Sequence, residues 1–270
     1  MIACTIAGSD SGGGAGIQAD VKTFQELGVF GTTAITALTA QNTLGVHGIY
    51  AVEPAFVVAQ LDAILADFDV KAVKTGMLFS SDIIEAVANR LADEKLLLVI
   101  DPVMIAKGGQ SLLQQQAIDA LKTHLLPLAT VCTPNIPEAE ALTGVTICDE
   151  GTMQQAAEQL LACGVKYVVI KGGHAVGNTA RDAIFTQTDA PFYVETTRAN
   201  TKHTHGTGCT FSAAVTACIA KGLSVRDAII EAKRFVDAAI KHPLGIGQGF
   251  GPTNHFAYNQ KLSAEDVYVL

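Results

Sequence analysis

No run of lysine or arginine interrupts this sequence, and charge of either sign is sparse: 16% of residues are Asp, Glu, Lys or Arg, with a formal net charge of -8. A chain of that balance is not built to wrap a nucleic-acid backbone or an anionic membrane, so neither is expected as a partner. Small molecules and copies of the chain itself remain. Nothing approaches the roughly 18 uninterrupted apolar residues that a membrane span needs. The opening "MIACTIAGSD" has no basic segment and only a short apolar run before Gly8 and Ser9, which is not the pattern of a signal peptide or an anchor. The expected location is the cytoplasm.

Paired cysteines are missing too. Cys4, Cys132, Cys148, Cys163, Cys209 and Cys218 stand far apart with no C-x-x-C, so neither zinc nor a redox dithiol is indicated. Most read as reduced, small core residues. No Pro/Gly/Ser linker, charge block, repeat or low-complexity segment divides the chain, so its 270 residues are expected to form one domain, 1–270. With 49% hydrophobic residues it can bury a large core.

Several short apolar runs read as fully buried strands: "ACTIAG" near the start, "KAVKTG" at 71, "LLLVIDP" at 96, "ATVCTPN" at 129 and "KYVVIKGG" at 166. Segments of helical spacing lie between them, such as Ile17, Val21, Phe24 and Leu27, or Ile83, Ile84, Val87 and Leu91. Strands alternating with helices predict an α/β fold with a mostly parallel sheet covered on both faces. "VFGTTAITAL" and "GVHGIYAV" have no helix between them and read as antiparallel or edge additions; "DAIFTQ" and "PFYVET" read as a hairpin. Two helices are expected from Thr207 to His242, the first closed by Gly222, the second opened by Ser224 and stopped before Pro243.

In open parallel sheets, ligands collect beyond the carboxyl ends of the strands. Here "LLLVI" ends in Asp101, "ATVCT" near Asn135 and "YVVI" in Lys171. Each alone also reads as a loop cap or a solvated side chain; an acid, an amide and an ammonium at one edge point to a ligand. "AGSDSGGGAGIQAD" leads from a strand into a helix, where glycine amides approach a ligand. It is a weak dinucleotide signal, because "TAITALTAQN" ends in Gln41 and Asn42 rather than an acid. No P-loop occurs.

"HTHGTGC" places Gly206, Thr207 and Gly208 before an apolar helix, so that their amides and that of Cys209 form an anion hole at the positive end of the helix dipole. A thiol there has its thiolate favoured, which makes Cys209 a base or nucleophile. The alternative is a small residue packed beneath a glycine turn. His203 and His205 receive no catalytic role, and Cys218 reads as core.

Taken together, "IAGSDSGGGAGIQADVKTFQELGVFG", "TALTAQNTLGV", "VKTGML", "DPVMIAKGG", "TPNIPEAEALTG", "IKGGH" and "HTHGTGCTFSAA" resemble the ribokinase-like superfamily and, within it, the hydroxymethylpyrimidine and phosphomethylpyrimidine kinases of thiamine biosynthesis. The resemblance implies an α/β/α sandwich, usually dimeric, that uses ATP and Mg²⁺ to phosphorylate 4-amino-5-hydroxymethyl-2-methylpyrimidine and then its monophosphate. It implies that Asn135 and Glu138 organise Mg²⁺, through water, and phosphates, with Asp101 and Thr207 beside the nucleotide. Lys171 reaches the phosphates and acts with Gly206, Gly208 and Cys209 in catalysis, while Gly8, Asp20, Gln41, Met77 and Val103 surround the pyrimidine. A carboxamide has both a donor and an acceptor, which suits an aminopyrimidine edge.

Many sugar kinases of the superfamily carry aspartate at the position of Cys209, so the thiol favours a heteroaromatic alcohol. The nearest rival is a pyridoxal kinase of the same branch, which tends to carry a second cysteine where this chain has Ala106. A thiol hydrolase pairing Cys209 with His205 or His174 leaves "NIPE" and Lys171 without a role. A NAD-dependent oxidoreductase lacks its acidic residue, and a non-catalytic binder is the last alternative. "GGHAVGNTARD" and "MIAKGGQSLLQQQ" are candidate lids.

Overall fold

A computed structural model describes residues 1–104, 115–172, 177–260 and 268–269. Ala106, His174, residues 105–114 of one candidate lid and 173–176 of the other lie outside the described residues. The strands are β1 (Ile2–Ala7), β2 (Phe30–Ile35), β3 (Ala37–Asn42), β4 (Gly45–Ala51), β5 (Val70–Thr75), β6 (Leu97–Ile100), β7 (Val131–Cys132), β8 (Tyr167–Ile170), β9 (Thr179–Thr186), β10 (Phe192–Thr197) and β11 (Tyr268–Val269). The helices are α1 (Gly16–Glu26), α2 (Pro54–Asp67), α3 (Ser81–Leu91), α4 (Gln115–Ala120), α5 (Ile136–Thr143), α6 (Glu150–Ala162), α7 (Thr207–Ala220) and α8 (Val225–Lys241).

Among the described residues the main sheet has nine strands in the order β11-β10-β9-β8-β7-β6-β5-β1-β2. From β2 to β8 all neighbours are parallel, and β9, β10 and β11 join antiparallel. The five apolar runs are therefore adjacent strands β1, β5, β6, β7 and β8. Their side chains alternate between two cores, as the two-residue period of a strand requires. Cys4, Val73, Ile100, Cys132 and Val168 pack with helices α2 to α6 on one face. Ala3, Ala72, Val99, Val131 and Val169 pack with α1, α7 and α8 on the other.

"VFGTTAITAL" is not one strand. Thr36 interrupts it: its amide donates to Ala7 O at 3.1 Å and its hydroxyl to Met77 O at 2.7 Å, ending the main-sheet ladder. β2 stays in the sheet, parallel to β1, while β3 leaves it and pairs with β4 as a separate antiparallel ribbon. β9 and β10 form the expected hairpin.

Helix α7 is apolar all round, and every residue from Thr210 to Ala220 is buried, as such a helix must be. Wedged between α1, α8 and the sheet, it has its N-terminus held at the carboxyl edge of the strands. Ser224 caps α8, accepting from the Asp227 amide. Among the described residues no helix is long and apolar enough to cross a membrane.

Candidate active site

The carboxyl ends of the parallel strands open into a cleft of about 700 Å³. Asp101 follows β6 and Lys171 follows β8, with Lys171 Nζ 2.9 Å from Asp101 Oδ1. Ser212, on α7, donates to the second carboxylate oxygen at 3.3 Å. Gly208 lies over the pair: a Cβ on it would stand 3.3 Å from Lys171 Nζ. The ammonium thus stands beside the first turn of α7, whose amides have no helical acceptors; the Thr207 amide turns back to the Thr204 carbonyl oxygen at 3.3 Å. Burial works against the Lys171 charge, but Asp101 and Glu138 outweigh it and hold the ammonium protonated well above the usual range.

Asn135 and Glu138 are locked to each other at the start of α5. The Asn135 side chain accepts from the Glu138 amide at 2.8 Å, and Glu138 Oε2 accepts from the Asn135 amide at 2.8 Å. This reciprocal cap satisfies two orphan donors and holds both side chains at the cleft wall. Burial, helped by Asp101, pushes the Glu138 carboxyl up to about 7 although Lys171 and the Asn135 and Met104 amides pull it down. Among the described residues no three His, Cys, Asp or Glu side chains gather to form a closed metal site. A carboxylate and an amide oxygen suit Mg²⁺ nonetheless, because that ion takes one or two protein oxygens and completes its shell with water and phosphate.

Gly206 begins α7 with φ 80°, and a Cβ there would collide with the Gly14 carbonyl oxygen, so only glycine lets this turn pack against the loop before α1. Cys209 lines the cleft, but its thiolate is not favoured. Burial pushes the thiol up to about 11; Lys74 and the Gly16 N–H, which bonds the sulfur, pull it down, while Asp20 and Asp101 repel the anion. The surroundings of Cys209 thus oppose the activated thiolate expected from the sequence: burial, Asp20 and Asp101 all disfavour the anion.

Gly8, Gln41, Met77 and Val103 line one end of the cleft, and Thr207 joins the α7 turn. Asp20 does not belong with them. Its side chain is fully buried, with Lys74 Nζ at 2.7 and 2.8 Å from its two oxygens and the Thr5 hydroxyl at 2.6 Å. Every other sequence candidate meets in the cleft; Asp20 is consumed beneath its floor by an ion pair between α1 and β5.

Three participants went unread in the sequence. Asp10, after β1, lines the cleft and accepts the amides of Gly12, Gly14 and Ala15. An aspartate ahead of a glycine run was a usable signal for such a nest. Burial would raise its carboxyl, but the bond to His205 and these amides prevail and hold it low. His205 Nε2 lies 2.8 Å from Asp10 Oδ2, a pairing across 195 residues that no local pattern announces. At the far end of the cleft, Lys233 on α8 meets Asp182 on β9 at 2.7 Å, beside Thr196, Val236 and Ile240.

A three-layer α/β/α sandwich whose strand ends gather a half-buried lysine, a helix N-terminus and a capped Asn/Glu pair has the design of a ribokinase-like small-molecule kinase. A family model described as phosphomethylpyrimidine kinase matches residues 10–254. The chain is 57% identical over 260 residues to the hydroxymethylpyrimidine/phosphomethylpyrimidine kinase of Haemophilus influenzae, covering 95% of this chain and 97% of that one. It is 50% identical over 264 residues to the thiamine biosynthesis bifunctional protein ThiED of Geobacter sulfurreducens, covering 97% of this chain and 53% of that one. Among solved structures, the pyridoxal kinase of Staphylococcus aureus in complex with AMP-PCP and pyridoxal superposes with a TM-score of 0.91 at 36% identity, covering 100% of this chain and 98% of that one. The chain belongs to the phosphomethylpyrimidine kinase family.

Proposed function

We propose that this chain, as one kinase domain over residues 1–270, transfers the γ-phosphoryl group of ATP to the hydroxymethyl oxygen of 4-amino-5-hydroxymethyl-2-methylpyrimidine. It then transfers a second phosphoryl group to the monophosphate, giving the diphosphate used to build thiamine. The observation that carries this reading is one cleft with a carboxamide, Gln41, among Gly8, Met77 and Val103 at one end, and Lys171 under the α7 amides further in. A flat donor-and-acceptor edge fits the first, and a transferring phosphoryl group the second.

Phosphoryl transfer asks for positioning and charge neutralisation rather than covalent chemistry. Lys171 neutralises charge on the phosphates, and the amides of Gly206, Gly208 and Cys209 receive the oxygens of the group in flight, the Thr207 amide being held by the Thr204 carbonyl. Asp101 keeps Lys171 charged and aimed. When bound, Mg²⁺ supplies further charge neutralisation, held by Glu138 and Asn135. The nucleotide base lies toward Val236 and Ile240, beside the Lys233–Asp182 pair. In its thiolate form, the minor one at neutral pH, Cys209 at the α7 end receives the alcohol proton, which leaves late in a loose transition state.

A homodimer fits the exposed apolar side chains of Phe30, Leu38, Ile49, Tyr50 and Phe56 around the free edge of β2 and the ribbon. Free thiols and a small-molecule substrate fit the cytoplasm. A second reading, pyridoxal kinase, is favoured by the S. aureus neighbour. ³¹P NMR of the protein with Mg-ATP and, in separate tubes, the hydroxymethylpyrimidine, its monophosphate and pyridoxal distinguishes the two. Turnover of both pyrimidines is expected; phosphorylation of pyridoxal alone would replace the first reading by the second.

A further inference from the structure

Gln41 has its terminal amide between two neighbours, with Nε2 3.3 Å from His205 Nε2 and Oε1 3.2 Å from the Thr39 hydroxyl. Distances do not distinguish the two ends of an amide, but protons do. Asp10 accepts the amides of Gly12, Gly14 and Ala15 at 2.8, 3.0 and 2.9 Å, so it is a carboxylate with nothing to donate. His205 Nε2, 2.8 Å from Asp10 Oδ2, must therefore carry a proton, since a bare nitrogen there would set lone pair against lone pair. A protonated Nε2 cannot also accept from an amide NH₂.

The Thr39 side reaches the same answer independently. Its hydroxyl has one proton, and the Ser9 carbonyl oxygen, which only accepts, stands 2.8 Å away. That proton goes to Ser9, leaving the Thr39 oxygen as an acceptor toward Gln41. The amide end beside Thr39 must be the NH₂, and the end beside His205 must be the oxygen. A half turn about the last side-chain torsion sets the NH₂ against the Thr39 oxygen and the amide oxygen beside the Nε2–H, which is bonded mainly to Asp10 and shared weakly with Gln41.

We infer that Asp10 and His205 form a positioning dyad that fixes the Gln41 amide with its oxygen toward α7, and so fixes which way round a heteroaromatic substrate lies. The consequence rests on the pyrimidine reading above. An aminopyrimidine edge gives its amino group to the amide oxygen and its ring nitrogen to the amide NH₂. In the proposed substrate the hydroxymethyl carbon neighbours the amino-bearing carbon. With the amide oxygen on the His205 side, the hydroxymethyl group points toward Gly206 and Cys209, where the phosphoryl group is handled. The opposite amide orientation would turn it away, toward Thr39.

Two measurements test this. Long-range ¹H–¹⁵N correlation on histidine-labelled protein, with the His205 signal assigned from His205→Gln, is expected to show Nε2 protonated; an unprotonated Nε2 overturns the dyad whatever the substrate. Steady-state kinetics should then show His205→Phe, which removes the donor, raising KM for the pyrimidine alcohol about tenfold with KM for ATP within twofold of the parent. His205→Gln, which restores an N–H near the Nε2 position, should recover most of that loss. An unchanged pyrimidine KM in His205→Phe, or equal damage in His205→Gln, overturns the role. A parent enzyme inert toward every aminopyrimidine alcohol removes the function reading and the substrate orientation built on it, while the NMR result still decides the dyad.

Discussion

Lys74 Nζ stands 2.7 Å from Oδ1 and 2.8 Å from Oδ2 of Asp20, and neither side chain reaches solvent. This pair joins β5 to α1 directly below the substrate end of the cleft. Removing one partner leaves a charge buried in a low dielectric, which costs about 3–5 kcal/mol, whereas removing both leaves none. Lys74→Met and Asp20→Asn are each expected to lower urea-unfolding stability by that amount. The double variant should be more stable than either single one, as a double-mutant cycle will show.

Cys209 is predicted to react as a buried thiol. With its pKa near 11, peptide-mapped alkylation by iodoacetamide should be slow at pH 8 and accelerate only above pH 10. A rate already at its plateau at pH 8 would restore the thiolate.

Kinetics separate its two remaining roles. In the first proposed transfer an alcohol must lose a proton, while in the second the attacking group is already an oxyanion. Cys209→Ala should therefore slow the first about 10²-fold and the second much less, the size expected for a lost proton acceptor. Equal losses would leave Cys209 as a packing residue under the glycine turn.

Lys171→Met should reduce kcat/KM for the pyrimidine about 10²- to 10³-fold, as removal of a preorganised charge at the reacting group does. Binding of the pyrimidine alone, followed calorimetrically, should be little changed if Lys171 serves the phosphates as proposed. A loss confined to pyrimidine binding would contradict the assignment.

His255 is expected to contribute to acid sensitivity. Buried beside Thr210 on α7, with Nε2 3.1 Å from its hydroxyl, it has its pKa pushed down to about 4 by burial, from 6.5. Between those values the unfolded chain binds a proton that the folded chain refuses. Stability should thus be constant from this group above pH 6.5 and fall as pH drops toward 4, by about 3 kcal/mol in all. His255→Gln should flatten that slope in urea titrations between pH 7 and pH 4.5.

The parallel sheet was readable because strands buried on both faces are apolar without interruption, so β1, β5, β6, β7 and β8 stand out as runs. The break at Thr36 was not, because the carbonyl oxygens that accept its amide and hydroxyl belong to Ala7 and Met77, outside the local window. Asp101 and Lys171 were legible as polar residues ending apolar strands. Asp20 was misplaced because its position on α1 does not reveal that Lys74 awaits it from β5. The thiol of Cys209 was misjudged for the same reason: its neighbours, not its place on the helix, set its proton affinity.

Gln41 is carried on the β3–β4 ribbon, outside the main sheet, while Lys171 and Asp101 stand at the ends of strands within it. The proposed recognition and the proposed chemistry thus stand on separately paired strands, tied to each other through the loop after β1, where Ser9 and Ser11 bond Thr39 and Gln41. A ribbon of different sequence between Thr36 and Val52 would leave the strand pairs beside Asp101 and Lys171 intact, provided it kept the bonds that Ser9, Ser11 and Phe250 make to it. Substrate range in such a scaffold is a replaceable cassette, and kinase activity is the chassis.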